Sequence, residues 1–185
     1  MFSKLIHVCD QAVQTLRHPV DVEGIGHFID TLHPVVTQLE VHGEGLPFGR
    51  YLIHADPGGL YNIQLDLFSP DYTGMIHNHD TWGCFWVLKG ALRVWDYHRE
   101  DDHFVLIRRG ISQGGSVGSF VSPCDWHKVG TPAFGPQTAS LHIYGPGFDL
   151  DQGTYVDEKG LFQQGKRSPF KDLEAILPAL RLRGV

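Results

Sequence analysis

Apolar residues recur at helical spacing over long stretches near the start of the chain. From residue 3 to 17, Leu5, Ile6, Val8, Cys9, Ala12, Val13 and Leu16 fall three and four apart, the one-sided stripe of an amphipathic helix, and Pro19 stops it. A second stripe from about Glu23 to Glu40 carries Ile25, Phe28, Ile29, Leu32, Val35, Val36 and Leu39, with Pro34 marking a kink or break. Together these predict a helical cap over residues 1–42. From Arg50 to about Tyr155 the period shortens to alternating runs: Tyr51 to His54, Tyr61 to Phe68, Met75 to His79, Cys84 to Leu88, Ala91 to Tyr97, Phe104 to Arg108, Ser119 to Ser122 and Thr138 to Tyr144. Separators such as Pro57-Gly58-Gly59, Lys89-Gly90, Gly114-Gly115 and Gly145-Pro146 are too short for crossover helices, so the sheet is expected to be antiparallel. A jelly-roll barrel over residues 43–156 is its natural closed form. The tail, 157–185, places Leu173, Ile176, Leu177 and Leu180 on a short helix against the barrel exterior.

Composition narrows the setting. The 185 residues fit one domain with one sizeable core, and 22 glycines with 11 prolines suit frequent turns rather than a helical bundle. A net charge of −6 gives no reason to expect nucleic acid or an anionic membrane as partner, and a small molecule is the better expectation. The stretch Met1 to His7 lacks a long apolar run, and no segment of about 18 apolar residues occurs, so the expected location is the cytoplasm. Cys9, Cys84 and Cys124 are odd in number and unpatterned, which suits a reducing compartment. The 12 histidines are the compositional oddity.

Two of them, His77 and His79, flank Asn78 at a strand end, where side-chain alternation aims both imidazoles the same way. Alone, such a pair reads as ordinarily as a wet strand face. His127, after Ser122 to Trp126, lies where a barrel could bring it opposite the pair. Three imidazoles would make a neutral site open to iron, copper, nickel or zinc. Ser140, His142 and Tyr144 alternate with Leu141 and Ile143, so they share one face, either wet or lining a site. Cys124-x2-His127 has zinc-like spacing but no second pair to complete it. His98 and His103 bracket a charged run read as a solvated hairpin tip, and His7, His18, His27, His33 and His42 carry no metal spacing.

These residues resemble a family. Gly74-x2-His77-x-His79-x4-Cys84 with Gly90 is similar to the first cupin motif, and His127 followed by Ser140-Leu141-His142-Ile143-Tyr144 and Gly145-Pro146-Gly147-Phe148-Asp149 is similar to the second half of the thiol dioxygenases, cysteine dioxygenase among them. The resemblance spans about Phe48 to Phe148. It implies a cupin jelly roll and Fe(II) on His77, His79 and His127. It also implies a tyrosine, Tyr144, beside the metal and held by His142 and Ser140, with Cys84 joined to Tyr144 by a thioether. Arg50 would grip a substrate carboxylate, and Gly145-Pro146 would be cis. The stretch from Arg50 to Asn62 is one residue longer than the family pattern, which leaves room for Tyr51 or His54 to intrude. The implied activity adds both atoms of O2 to the sulfur of a small thiol carboxylate, L-cysteine first. Thr81-Trp82-Gly83 resembles instead the 3-mercaptopropionate dioxygenases, and a metal-binding cupin without turnover and a sugar-modifying cupin without metal are the remaining alternatives. The implied partners are a small thiol and O2, in a monomer or small homo-oligomer.

Overall fold

In the computed structural model, residues 2–101, 103–122, 126–157 and 160–183 are described. Cys124, and with it the zinc-like spacing to His127, lies outside them, as does Asp102 of the charged hairpin tip. Two helices come first, α1 (Ser3–Val13) and α2 (Val22–Val36). Helix α1 buries Leu5, Cys9, Ala12 and Val13 and ends before Leu16, the last residue of the apolar stripe, as Thr15 and Leu16 bend back onto the carbonyls of Ala12 and Val13. Asp21 caps α2 by accepting from the Gly24 amide at 2.8 Å, which satisfies one of the four donors a helix start leaves open. Pro34 sits in the last turn without breaking α2. The helix instead stops at Val36, where Thr37 and Gln38 donate side-chain hydrogen bonds to the carbonyls of His33 and Pro34, and the chain turns into a strand at Leu39 rather than staying helical to Glu40.

Among the described residues thirteen strands follow: β1 (Leu39–Val41), β2 (Gly49–Ala55), β3 (Asn62–Phe68), β4 (Ile76–His77), β5 (Gly83–Lys89), β6 (Ala91–Glu100), β7 (His103–Gln113), β8 (Val117–Phe120), β9 (His127–Gly130), β10 (Thr138–Tyr144), β11 (Gln152–Val156), β12 (Phe162–Lys166) and β13 (Leu180–Leu182). Every ladder between them is antiparallel. One sheet has the order β2-β3-β10-β5-β8 and the other β12-β11-β4-β9-β6-β7, the two faces of a jelly roll. The chain therefore forms the expected mostly-β jelly roll with an N-terminal helical cap. Gly90 makes the β5–β6 turn at φ +73°, where a Cβ would lie 2.9 Å from the Thr138 Cα. The C-terminal helix takes the form of two single 3-10 turns, Leu173–Ala175 and Leu177–Ala179. Pro178 has no amide to continue an α-helical ladder, and the chain leaves as β13 to pair with β1.

Strand β10 is buried along its whole length, and its alternation divides the molecule. Leu141 and Ile143 face outward with Ile63 and Trp86 into a core closed by Leu5, Ile25, Phe28 and Leu32 of the cap. Ser140, His142 and Tyr144 face the space between the sheets. The cap thus covers one face of the five-stranded sheet, and the other face is left for polar side chains. Among the described residues the one cis peptide bond is His18-Pro19, so Gly145-Pro146 is trans, the form an X-Pro bond ordinarily prefers.

Candidate metal centre

The barrel builds the three-histidine group by strand pairing. His77 and His127 are direct partners across β4 and β9, and His79 follows His77 by the two residues that return a side chain to the same face. Ring centroids stand 4.5 Å apart for His77–His127 and 4.9 Å apart for both pairs involving His79. One nitrogen from each ring lies within 4.8 Å of the others, so the group can hold a metal ion. His77 Nδ1 is 2.9 Å from the Met75 carbonyl. A carbonyl only accepts, so that bond places the proton on Nδ1 and leaves the Nε2 lone pair for a ligand, the usual way a metal-binding imidazole is oriented. Burial, and next the neighbouring His127, lower His77 to about 3 and hold His79 well below the ordinary histidine value. At neutral pH both rings are therefore in the uncharged form that coordinates metal.

Tyr144 stacks on His79 at 4.7 Å and on Phe148 at 4.1 Å. Its hydroxyl is 3.3 Å from His142 Nδ1, and His142 Nε2 is 2.7 Å from Ser140 Oγ, so the three alternating residues form a hydrogen-bonded chain. Burial, with Arg50 adding to it, lowers His142 to about 3, so this imidazole has one proton to share along the chain. Burial, with Asp66 adding to it, pushes the Tyr144 phenol upward, and it stays protonated.

Arg50 faces the same cavity, opposite Asp66 across β2 and β3. Its guanidinium donates to Gln64 Oε1 at 3.1 Å and to the Ser168 carbonyl at 3.0 Å, and lies 4.2 Å over the Phe170 ring. The extra residue in this stretch is absorbed by a β-bulge between Leu52 and His54. The bulge turns His54 to the outer face, where it meets Tyr61, and Tyr51 is wholly buried there with its hydroxyl on the Pro47 carbonyl, so neither intrudes on the site.

Cys84 is a correction to the sequence expectation. In the β5–β10 register Cys84 is opposite Ile143, and Gly83 is opposite Tyr144. Because faces alternate, the Cys84 thiol points away from Tyr144 and into the core under the cap, with Cys9, Trp82 and Trp86. Burial pushes this thiol well above the ordinary cysteine value, so it behaves as a small buried hydrophobe. The spacing matched the family's cysteine, but one residue of register put it on the wrong side for a thioether.

Several cavity residues were not read from the sequence. Gln64 and Asp66 alternate with Ile63, Leu65 and Leu67 on β3, the same parity signal that marked β10, and it could have found them. Asp66 Oδ2 lies 3.7 Å from His142 Nε2, while Asp66 Oδ1 is buried without a hydrogen-bond partner. Burial outweighs the two nearby arginines and raises Asp66 to about 7. Arg167, just beyond β12, has no local signal; tertiary structure alone brings it to the cavity, which measures about 600 Å³. A second group, Asp10, His54 and Asp56, lies outside the barrel, where Asp10 accepts from the Tyr61 hydroxyl at 2.6 Å and Asp56 from the Leu60 amide at 2.9 Å.

No protein-family model matches the sequence, and a search of the curated proteins finds no match. Similar solved structures include a cupin superfamily protein from Desulfitobacterium hafniense (9% identity over 57% of this chain and 84% of that one, TM-score 0.44). A cupin-2 domain from Rhodospirillum rubrum is 15% identical over 66% of this chain and 76% of that one, with a TM-score of 0.46. A cupin 2 domain-containing protein from Halorhodospira halophila is also 15% identical, over 66% and 82%, with a TM-score of 0.45.

Proposed function

We propose that the chain is an iron-dependent thiol dioxygenase that converts a small thiol carboxylate to its sulfinate. The balance is RSH + O2 → RSO2H: sulfur gives up four electrons and both oxygen atoms end on it. The observation that carries this reading is the convergence of three imidazoles with a buried, hydrogen-bonded tyrosine in a cavity that also contains an arginine. Fe(II) suits the His77, His79 and His127 donor set and, when bound, would supply a Lewis acid that favours the thiolate and a redox partner for oxygen.

The chain's own residues do the rest. Arg50 offers a planar pair of N–H donors to the substrate carboxylate, held in place by Gln64, the Ser168 carbonyl and the Phe170 face. Tyr144, protonated and fixed by stacking, can donate a hydrogen bond toward the reacting atoms, while His142 and Ser140 set the orientation of its hydroxyl. Phe120 and Phe148, both stacked on His79, exclude water from one side of the site.

A mercapto acid lacking the amino group, such as 3-mercaptopropionate, is the second reading. What favours it is Gly83, rather than a cysteine, opposite Tyr144, where any side chain would collide with the Phe120 ring. Iron-loaded protein is expected to consume one O2 per sulfinate formed, and the ratio of rates with L-cysteine and 3-mercaptopropionate decides between the two. Tyr144→Phe should keep its iron and lose roughly 100-fold or more in rate, the usual scale for a positioned proton donor. Iron-loaded protein that consumes no O2 with any small thiol would point to a metal-binding module without turnover.

A further inference from the structure

The proposed function leaves a second guanidinium in the cavity unexplained. Arg167 donates to the carbonyls of Asp149 and Gln152 at 3.0 and 2.6 Å and lies 4.4 Å over the Phe148 ring. Arg50 is held in the same way, by neutral acceptors and the Phe170 ring. Among the described residues neither arginine has a carboxylate within ion-pair distance. Both are half-buried, so water does not fully replace the missing anions. The charged side chains lining the cavity are Arg50, Lys166, Arg167 and Lys171 against Asp66 alone, in a chain whose net charge is −6. Asp66 is a weak counterion because its burial favours the protonated form, and Asp149, exposed and near enough to Arg167 to attract it, accepts the amides of Asp151 and Gln152 on Oδ1 and makes no ion pair with the guanidinium.

The position of Arg167 is also built in. Gly153 lies beneath its guanidinium, and a Cβ there would stand 2.9 Å from Arg167 Cζ and 3.2 Å from Nε. A glycine at this position lets the planar group lie flat on β11, sandwiched with Phe148. Two pre-oriented, unpaired guanidiniums in one cavity are a receptor for two anionic groups on one ligand. The volume agrees. At about 600 Å³ the cavity falls within the roughly 300–1,000 Å³ of small-molecule pockets and has room for a dicarboxylate.

We infer that the substrate class is a thiol bearing two anionic groups, such as a mercapto-dicarboxylate, with one group on Arg50 and the other on Arg167. This rests on the thiol dioxygenase reading for the thiol, but the dianion site is tested without turnover. Protein loaded with zinc, which has no redox chemistry, is titrated calorimetrically with succinate and with butyrate, which differ by one carboxylate. Succinate is expected to bind at least tenfold more tightly. Arg167→Gln should bring succinate to the butyrate level while leaving butyrate within about twofold. Gly153→Ala keeps the charge but displaces the guanidinium and should reduce the preference in the same direction, which covers the case of an Arg167→Gln protein that does not fold. Equal binding of the two acids, or a preference unchanged by both variants, would overturn the inference. O2 uptake by the iron-loaded protein with mercaptosuccinate, cysteine and 3-mercaptopropionate is measured in parallel. A succinate preference without uptake of O2 would sink the dioxygenase reading alone, and uptake without the preference would sink the dianion inference alone.

Discussion

Asp66 offers the most direct physical test of the cavity interior. Its side chain is 14% exposed, one oxygen has no hydrogen-bond partner, and burial raises it from 3.8 to about 7. A carboxyl whose folded value lies above its unfolded one binds more protons folded than unfolded between those two pH values. Stability therefore falls as pH rises from about 4 to about 7 and is level above that. At 1.36 kcal/mol per tenfold, the displacement corresponds to roughly 4 kcal/mol of stability present at acid pH and absent at pH 8. Asp66→Asn keeps the shape and removes the titration. His77 and His142, lowered to about 3, act in the opposite sense, giving stability lost as pH falls below the ordinary histidine range, but they are common to both proteins and cancel in the difference. Urea unfolding of the two proteins at pH 4.5 and pH 8 is the assay. The stability of the variant relative to the parent should rise by about 3–4 kcal/mol between the two pH values. A change below about 1 kcal/mol would mean that Asp66 is solvated or paired, and the account of the cavity interior would be wrong.

Three further outcomes are expected. His127→Ala should cost at least tenfold in metal affinity, read as metal per chain after dialysis against a chelator buffer, because the cross-strand partner of His77 is gone while His79 still points the same way. Tryptic maps after prolonged turnover should show no joined Cys84 and Tyr144 peptides, and Cys84→Ser should keep its rate within about twofold while losing about 1–3 kcal/mol of stability by placing a hydroxyl in an apolar core. Leu32→Ala, wholly buried between the cap and the sheet, should cost about 2–5 kcal/mol in chemical denaturation without altering metal content, since the cap lies on the face of the sheet away from the histidines.

Local signals in the sequence were enough to define the cap, most of the barrel strands and their faces. Helical stripes located the cap, alternation and tight turns located an antiparallel β-fold, and parity put Ser140, His142 and Tyr144 on one side of β10 and aimed His77 and His79 the same way, although β4 itself ends at His77. Those features depend on residues within a few positions of each other, where backbone geometry alone dictates direction. What depended on pairing across the fold was not legible in the same way. The bulge at Leu52/His54 decided that Arg50 faces inward and His54 outward, and the β5–β10 register decided that Cys84 lies opposite Ile143 rather than Tyr144. Only the ladder of β4 and β9 set His127 against His77, and only the addition of β12 to the sheet carried Arg167 over Gly153 into the same cavity. Register is set by the summed packing of two sheets and a cap. A slip of one residue reverses every side chain on a strand at no cost to its local pattern.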